Sequence, residues 1–320
     1  MGLVSSQVPK HFNPIIDLHI AKKPVLGLYM PANPRARGGR AGVTPAGEPA
    51  PAPATKTQAQ LAADAFANTT ADFLFDGSME GDFDRAYPPF AEWMKAAGEM
   101  GNVSKAGTPH LIHPIIIKTH KIAEDTALAK QRIAKQLDLG ISTLMFPEVE
   151  SAAEVRTGLN AMRYKSAGGT RPDNDVGTAP AFWGMSAAEY QKKADLWPLN
   201  PNGELTNWTI VESKEGLKHV REIAAVKGIA VLWPGAGTLR QVFTTVDSTT
   251  KERKFDQAGW ENAIQTVLAA CKEFNVPCGF PANDPATVEL RMKQGFSVFV
   301  AGWGDNGFKA VEYGKQASGR

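Results

Sequence analysis

Only two cysteines, Cys271 and Cys278, occur in 320 residues. The first falls on a helical stretch and the second in the strand-like VPCGF, a placement that predicts no disulfide framework. No apolar run approaches the roughly 20 residues of a membrane span. The opening MGLVSSQVPKHFNP also lacks the basic-then-apolar profile of a signal peptide. The sequence reads as that of a soluble, cytoplasmic protein, with export as the alternative for a chain whose leader has been removed. An excess of one charge is missing as well, since 35 Lys and Arg stand against 33 Asp and Glu. Without a basic block interleaved with aromatics, neither nucleic acid nor a membrane surface is implied as a partner. No G-x-G-x-x-G opens a helix after a strand, which removes support for a dinucleotide fold.

What the chain does have is a regular alternation of short apolar runs and amphipathic stretches. The runs are Pro24 to Met30, Ala71 to Gly77, Leu111 to His120, Ser142 to Glu150, Trp208 to Val211, Ile229 to Trp233, Val276 to Phe280 and Phe296 to Ala301. Each is continuous enough to be a strand buried on both faces, and helical patterns separate them. Eight strands alternating with helices predict a single α/β domain over residues 1–320, a (β/α)8 TIM barrel rather than a doubly wound sheet. Two segments interrupt the pattern. Residues 31–55 are rich in Pro, Gly, Ala and Arg and read as a long mobile loop, either an inert surface insertion or a lid. Residues 163–204 are rich in Gly, Pro and Asp around the apolar island AFWGM, and read as a partly ordered excursion, a lid or a subunit contact.

The unit from Asn207 to Gly237 is the most informative, because a buried strand ends there in one carboxylate, Glu212. In a barrel, the C-terminal end of a strand is where active-site groups are displayed. A Gly-rich turn, Gly235-Ala236-Gly237, follows the next strand.

This unit and KQLDLGISTLMFPEVESAAEV (Lys135 to Val155) resemble the HpcH/HpaI aldolase and citrate lyase β-subunit superfamily. KPVLGLYM, FLFDGSMEGDFD and GFSVFVAG extend the resemblance over most of the chain. It implies a barrel of the phosphoenolpyruvate/pyruvate type, acting as a carbon-carbon lyase on a 2-oxo acid and an aldehyde. A divalent metal (magnesium, manganese or cobalt) would stabilise an enolate as a Lewis acid. It also implies a homo-oligomer, a hexamer or trimer of dimers. Glu212, in Val211-Glu212-Ser213, matches the family's strand-five metal ligand. Where the family reads Gly-Pro-x-Asp-Leu-Ser, this chain has Thr238 in place of the second carboxylate, which puts the metal in doubt, and Arg240 nearby as a cation for a substrate carboxylate.

Two further departures affect the proton chemistry. Glu80 stands where the family has an acid/base His, with Asp138 of KQLDLG matching that residue's partner, so the two carboxyls are expected to share a proton. Lys118 stands for the family's strand-three Arg and keeps the charge without the bidentate fork. His120, on the same side of that strand by alternation, is the reserve proton handler. Tyr29, Trp233 and Gly235 are expected to wall the substrate pocket, with core packing the plainer reading of the two aromatics. Two other functions remain open: a degenerate barrel that binds a small carboxylate without turnover, and a metal-independent lyase or hydrolase using Glu80 and Asp138.

Overall fold

The structure, a computed structural model, describes residues 10–33 and 55–320. Eight parallel strands follow one another around a ring. They are β1 (Val25–Tyr29), β2 (Leu74–Asp76), β3 (Ile115–Lys118), β4 (Thr143–Phe146), β5 (Thr206–Val211), β6 (Val231–Pro234), β7 (Gly279–Pro281) and β8 (Val298–Ala301). Hydrogen-bonded neighbours run β7-β8-β1-β2-β3-β4-β5-β6, and a bridge between Leu232 and Cys278 joins β6 to the residue preceding β7. The predicted (β/α)8 barrel is the observed fold, and each predicted strand overlaps an observed one.

Alternation along the strands sorts their side chains into two cores. Ile116, Trp208, Ile210, Val231, Trp233, Val298 and Val300 belong to an inner cluster that fills the barrel. Their chain neighbours Ile115, Ile117, Val211, Leu232 and Phe299 belong to the outer cluster, between strands and helices. Space inside the ring is tight: a Cβ on Gly279 would fall 1.8 Å from the Trp233 ring, so only glycine lets that indole stack on Trp208.

Helix α1 (Pro14–Ile20), capped by Asn13, contributes Ile15 and Leu18 to the inner cluster and plugs the barrel at the N-terminal ends of the strands. Around the ring lie α2 (Gln58–Ala67), α3 (Phe83–Met100), α4 (Thr126–Leu137) and α5 (Ala152–Met162). After α6 (Ala179–Phe182) and α7 (Ala187–Lys193) come α8 (Lys214–Lys218), α9 (Val220–Ala224), α10 (Ala236–Val242), α11 (Gln257–Phe274), α12 (Pro285–Gln294) and α13 (Asp305–Ala317). No helix among the described residues is long and apolar enough to cross a membrane.

Two expectations are corrected here. Cys271 and Cys278 form a disulfide, with Cα atoms 5.7 Å apart. Asn275 ends α11 in the left-handed region at φ 53°, and this reversal brings the chain back beside the last helical turn. Assigning one cysteine to a helix and the other to a strand does not capture that reversal. The 163–204 segment is not a partly ordered excursion, because Trp183, Tyr190 and Arg171 are buried within it and the Trp183 Nε1–H donates to the Gly140 carbonyl at 2.8 Å. It joins α5 to β5, which places both its ends at the N-terminal side of the barrel, away from the mouth. Glu204 at its close ties back to Asn13, whose backbone N–H donates to Oε2 at 2.9 Å. The other segment leaves the C-terminal end of β1, and Asn33 and Lys56 clamp its base through two hydrogen bonds. The mobile-loop reading of its interior, 34–54, lies outside the described residues.

Candidate active site

Strand ends at the mouth display three side chains on the inward parity: Tyr29 of β1, Lys118 of β3 and Glu212 just past β5. Lys118 is the centre of the arrangement. Its Nζ donates to both Glu80 carboxylate oxygens at 2.9 Å. Glu80 ends the short turn Ser78–Glu80 that follows β2, where Met79 is buried and the Ser78 N–H donates to Asp76 Oδ1 at 2.9 Å. His120 holds the same turn from the rim. Its Nδ1 lies 2.8 Å from the Glu80 carbonyl oxygen and its Nε2 lies 2.9 Å from a Glu124 oxygen. Lys118 and His120 therefore both reach Glu80, one at its carboxylate and the other at its backbone.

Glu212 is only 2% exposed. Its Oε1 accepts the Glu148 N–H at 3.0 Å. Gly235, at the end of β6, presses on the other side: a Cβ there would fall 2.3 Å from Glu212 Oε2. The expected pocket-wall role of Gly235 thus becomes one of seating the carboxylate. Glu148 was not anticipated from sequence. It adopts φ 49°, a left-handed conformation that costs a side-chain-bearing residue on the order of 1 kcal/mol. Its place in FPEVE, directly past a strand end, was the available signal.

These groups act on one another electrostatically. Burial pushes the Glu80 carboxyl above its ordinary value; the Lys118 charge and hydrogen bond oppose this, while Glu212 and Glu148 add to it. Burial raises Tyr29 as well, reinforced by the charges of Glu80 and Asp76. Tyr29 is 43% exposed and packs edge-on against Phe75, which places it on the rim. A carboxyl held above its usual range by neighbours and burial is better matched to proton transfer near neutrality.

Several predicted residues lie elsewhere. Asp138 does not meet Glu80 within the chain: it caps α4 and its Oδ1 accepts from Arg171 at 2.6 Å. Its carboxyl is raised by burial, opposed by Arg171 and reinforced by Asp175, and Glu80 has no part in that balance. Trp233 is a core aromatic, stacked on Trp208 at 5.6 Å and 6% exposed. Arg240 turns outward over the Phe255 ring, 4.0 Å from its centroid, and Thr238 sits half-buried in the first turn of α10.

Among the described residues, no three of His, Cys, Asp and Glu converge as a metal-holding group. Glu212 is buried at the mouth, Glu80 is engaged by Lys118, Glu148 is paired with Lys121, and Thr238 offers a neutral hydroxyl. This donor set does not make the two-carboxylate site that the resemblance implies for a hard divalent cation.

Comparison with known proteins agrees with the fold. Residues 122–308 match the family described as HpcH/HpaI aldolase/citrate lyase. A hydroxypyruvate/pyruvate aldolase of Paraburkholderia phytofirmans is 28% identical over 169 residues, covering 53% of this chain and 60% of that protein. One from Delftia acidovorans is 31% identical over 190 residues, covering 57% of this chain and 64% of its own length. The chain thus spans less than two thirds of the length of these curated relatives. The crystal structure of an HpcH/HpaI aldolase/citrate lyase family protein from Burkholderia cenocepacia J2315 superposes with a TM-score of 0.63 at 20% identity, covering 95% of this chain and 97% of that one. With more than half of its length matched, the chain belongs to the HpcH/HpaI aldolase/citrate lyase family.

Proposed function

We propose that the chain is a carbon-carbon lyase that cleaves a 4-hydroxy-2-oxo acid into a pyruvate-type 2-oxo acid and an aldehyde. The observation that carries this reading is the Lys118 ammonium held by both oxygens of Glu80, beside the buried Glu212 at the barrel mouth. Lys118 pairs with the substrate carboxylate and the 2-oxo oxygen, where negative charge develops. Glu80 accepts the proton of the C4 hydroxyl as the C3–C4 bond breaks, which frees the aldehyde. The electron pair of that bond forms the enolate, and Glu80 returns the proton to C3 to give the 2-oxo acid. Tyr29 stands at the entrance, and Glu212 anchors the opposite side. No step is routed through a metal, since Thr238 stands where the resemblance implies the second carboxylate ligand.

A second reading, a barrel that binds a small carboxylate without turning it over, is favoured by the loss of the family's second carboxylate at Thr238. One experiment separates the two. The protein is dialysed against chelator and assayed for 2-oxo acid release from a panel of 4-hydroxy-2-oxo acids, with and without Mg²⁺, Mn²⁺ and Co²⁺. Release from at least one member, lowered ~10²-fold or more by Glu80→Gln, is the expected result. No release under any condition, together with retained binding of oxalate, would favour the non-catalytic barrel.

The pH dependence follows from Glu80. Its working form is the carboxylate, so activity falls as pH drops through its folded value, which lies above that of an ordinary glutamate. Glu148 is one of the charges that raises it. Glu148→Gln is therefore expected to move the acid limb of the kcat/KM profile to lower pH; a stationary limb would remove Glu80 from the proton-accepting role.

A further inference from the structure

The N-terminal end of the barrel, opposite the mouth, holds a cavity of about 570 Å³ lined by His19, Lys22, Lys23, Trp197, Lys272 and the Cys271–Cys278 disulfide, among others. That volume is typical of small-molecule sites. None of its lining residues is acidic. Lys22 and Lys272 form no ion pair among the described residues, and Lys23 Nζ donates only to the Ser318 carbonyl, at 3.1 Å. A plainer role for these lysines is to offset the C-terminal ends of α1 and α11, at Ile20 and Phe274. Two helix ends supply roughly half a negative charge each, about one in all, against three ammonium groups. The cavity keeps a positive excess.

The second observation is His19. It is 9% exposed, and its Nε2 is buried with no hydrogen-bond partner. The imidazole stacks on Trp197, with ring centroids 5.8 Å apart and planes 10° from parallel, so the ring is held in place while that nitrogen goes unmatched. Burial pushes its pKa down to about 4, which leaves the ring neutral near pH 7.

We propose that this cavity is a second ligand site, remote from the mouth, for a small anion bearing at least two negative charges, such as a phosphate ester or a polycarboxylate. Lys22, Lys23 and Lys272 supply the charge, and the stacked His19 and Trp197 rings form a wall beside them. This proposal does not depend on the lyase reading. The probes are pyrophosphate and citrate, titrated calorimetrically into the full chain. Saturable binding of either is expected, weakened at least tenfold in Lys22→Gln/Lys272→Gln and unchanged in Lys118→Met, with the stronger probe indicating the ligand class. In the wild-type protein, the bound probe is expected to shift the His19 imidazole NMR signals and leave those of His120 in place. Absence of saturable binding, full retention in the double variant, loss in Lys118→Met, or a shift at His120 alone would each overturn the proposal.

Discussion

Lys118→Met is expected to lower kcat/KM by ~10²–10⁴-fold while leaving the fold intact, the range seen when a positioned electrostatic or acid/base group is removed. The size follows from where the ammonium sits. It is the cation bonded to Glu80, and the other charges acting on that carboxyl, Glu212 and Glu148, are negative. Removing it deletes the partner for a substrate carboxylate and leaves three carboxylates at one mouth. It also removes the contributions that hold the Glu80 carboxyl down, so the residual activity should show an acid limb moved to higher pH than in the wild type. Lys118→Arg keeps the charge but replaces a point donor with a planar fork, and a partial recovery is expected. Steady-state kinetics across pH on the three proteins would settle it. A methionine variant with wild-type kcat/KM would sink the role of Lys118 and with it the proposed chemistry.

The barrel was legible because its signal is repeated. Eight continuous apolar runs alternate with helical patterns, and the same strand parity that buries Ile116, Ile210 and Val231 turns Lys118, Glu212 and Gly235 inward at the mouth. Strand-borne site residues were therefore readable. Glu80, on a turn, was also named, but the partners of residues on turns and helices were not readable. Glu80 reaches Lys118 only because a short turn after β2 bends toward β3, and Asp138 faces Arg171 because of how the 163–204 segment folds, which no local pattern encodes. Trp233 illustrates the limit of parity, since inward-facing means core below the mouth and pocket wall only at its rim. The disulfide needed the reversal at Asn275, and Glu148 was hidden because its backbone N–H, rather than its side chain, supports Glu212.

Arg171→Ala is expected to be strongly destabilising, costing about 3–5 kcal/mol, the range for breaking a buried pair by removing one member. The Arg171 side chain is fully buried, its guanidinium lies 4.3 Å from the Tyr164 ring centroid, and Asp138 is its carboxylate partner. The loss is expected to depend on pH. Burial already holds the Asp138 carboxyl above its unfolded value, so its contribution is present at low pH and is lost as pH rises through the folded value. Without Arg171 that folded value climbs further. The gap in stability between variant and wild type should therefore be widest near neutrality and shrink in acid, where the carboxyl is protonated in both proteins. Arg171→Met/Asp138→Leu, which replaces both members with apolar groups, should recover much of the loss, since a buried pair exchanged for hydrophobic residues is often neutral. Urea denaturation of the three proteins at two pH values checks this; a double variant no more stable than Arg171→Ala would show that the pairing is not what is lost. The same double variant separates Asp138 from the chemistry. Because the charges acting on Glu80 are Lys118, Glu212 and Glu148, the acid limb of its kcat/KM profile should stay at the wild-type position.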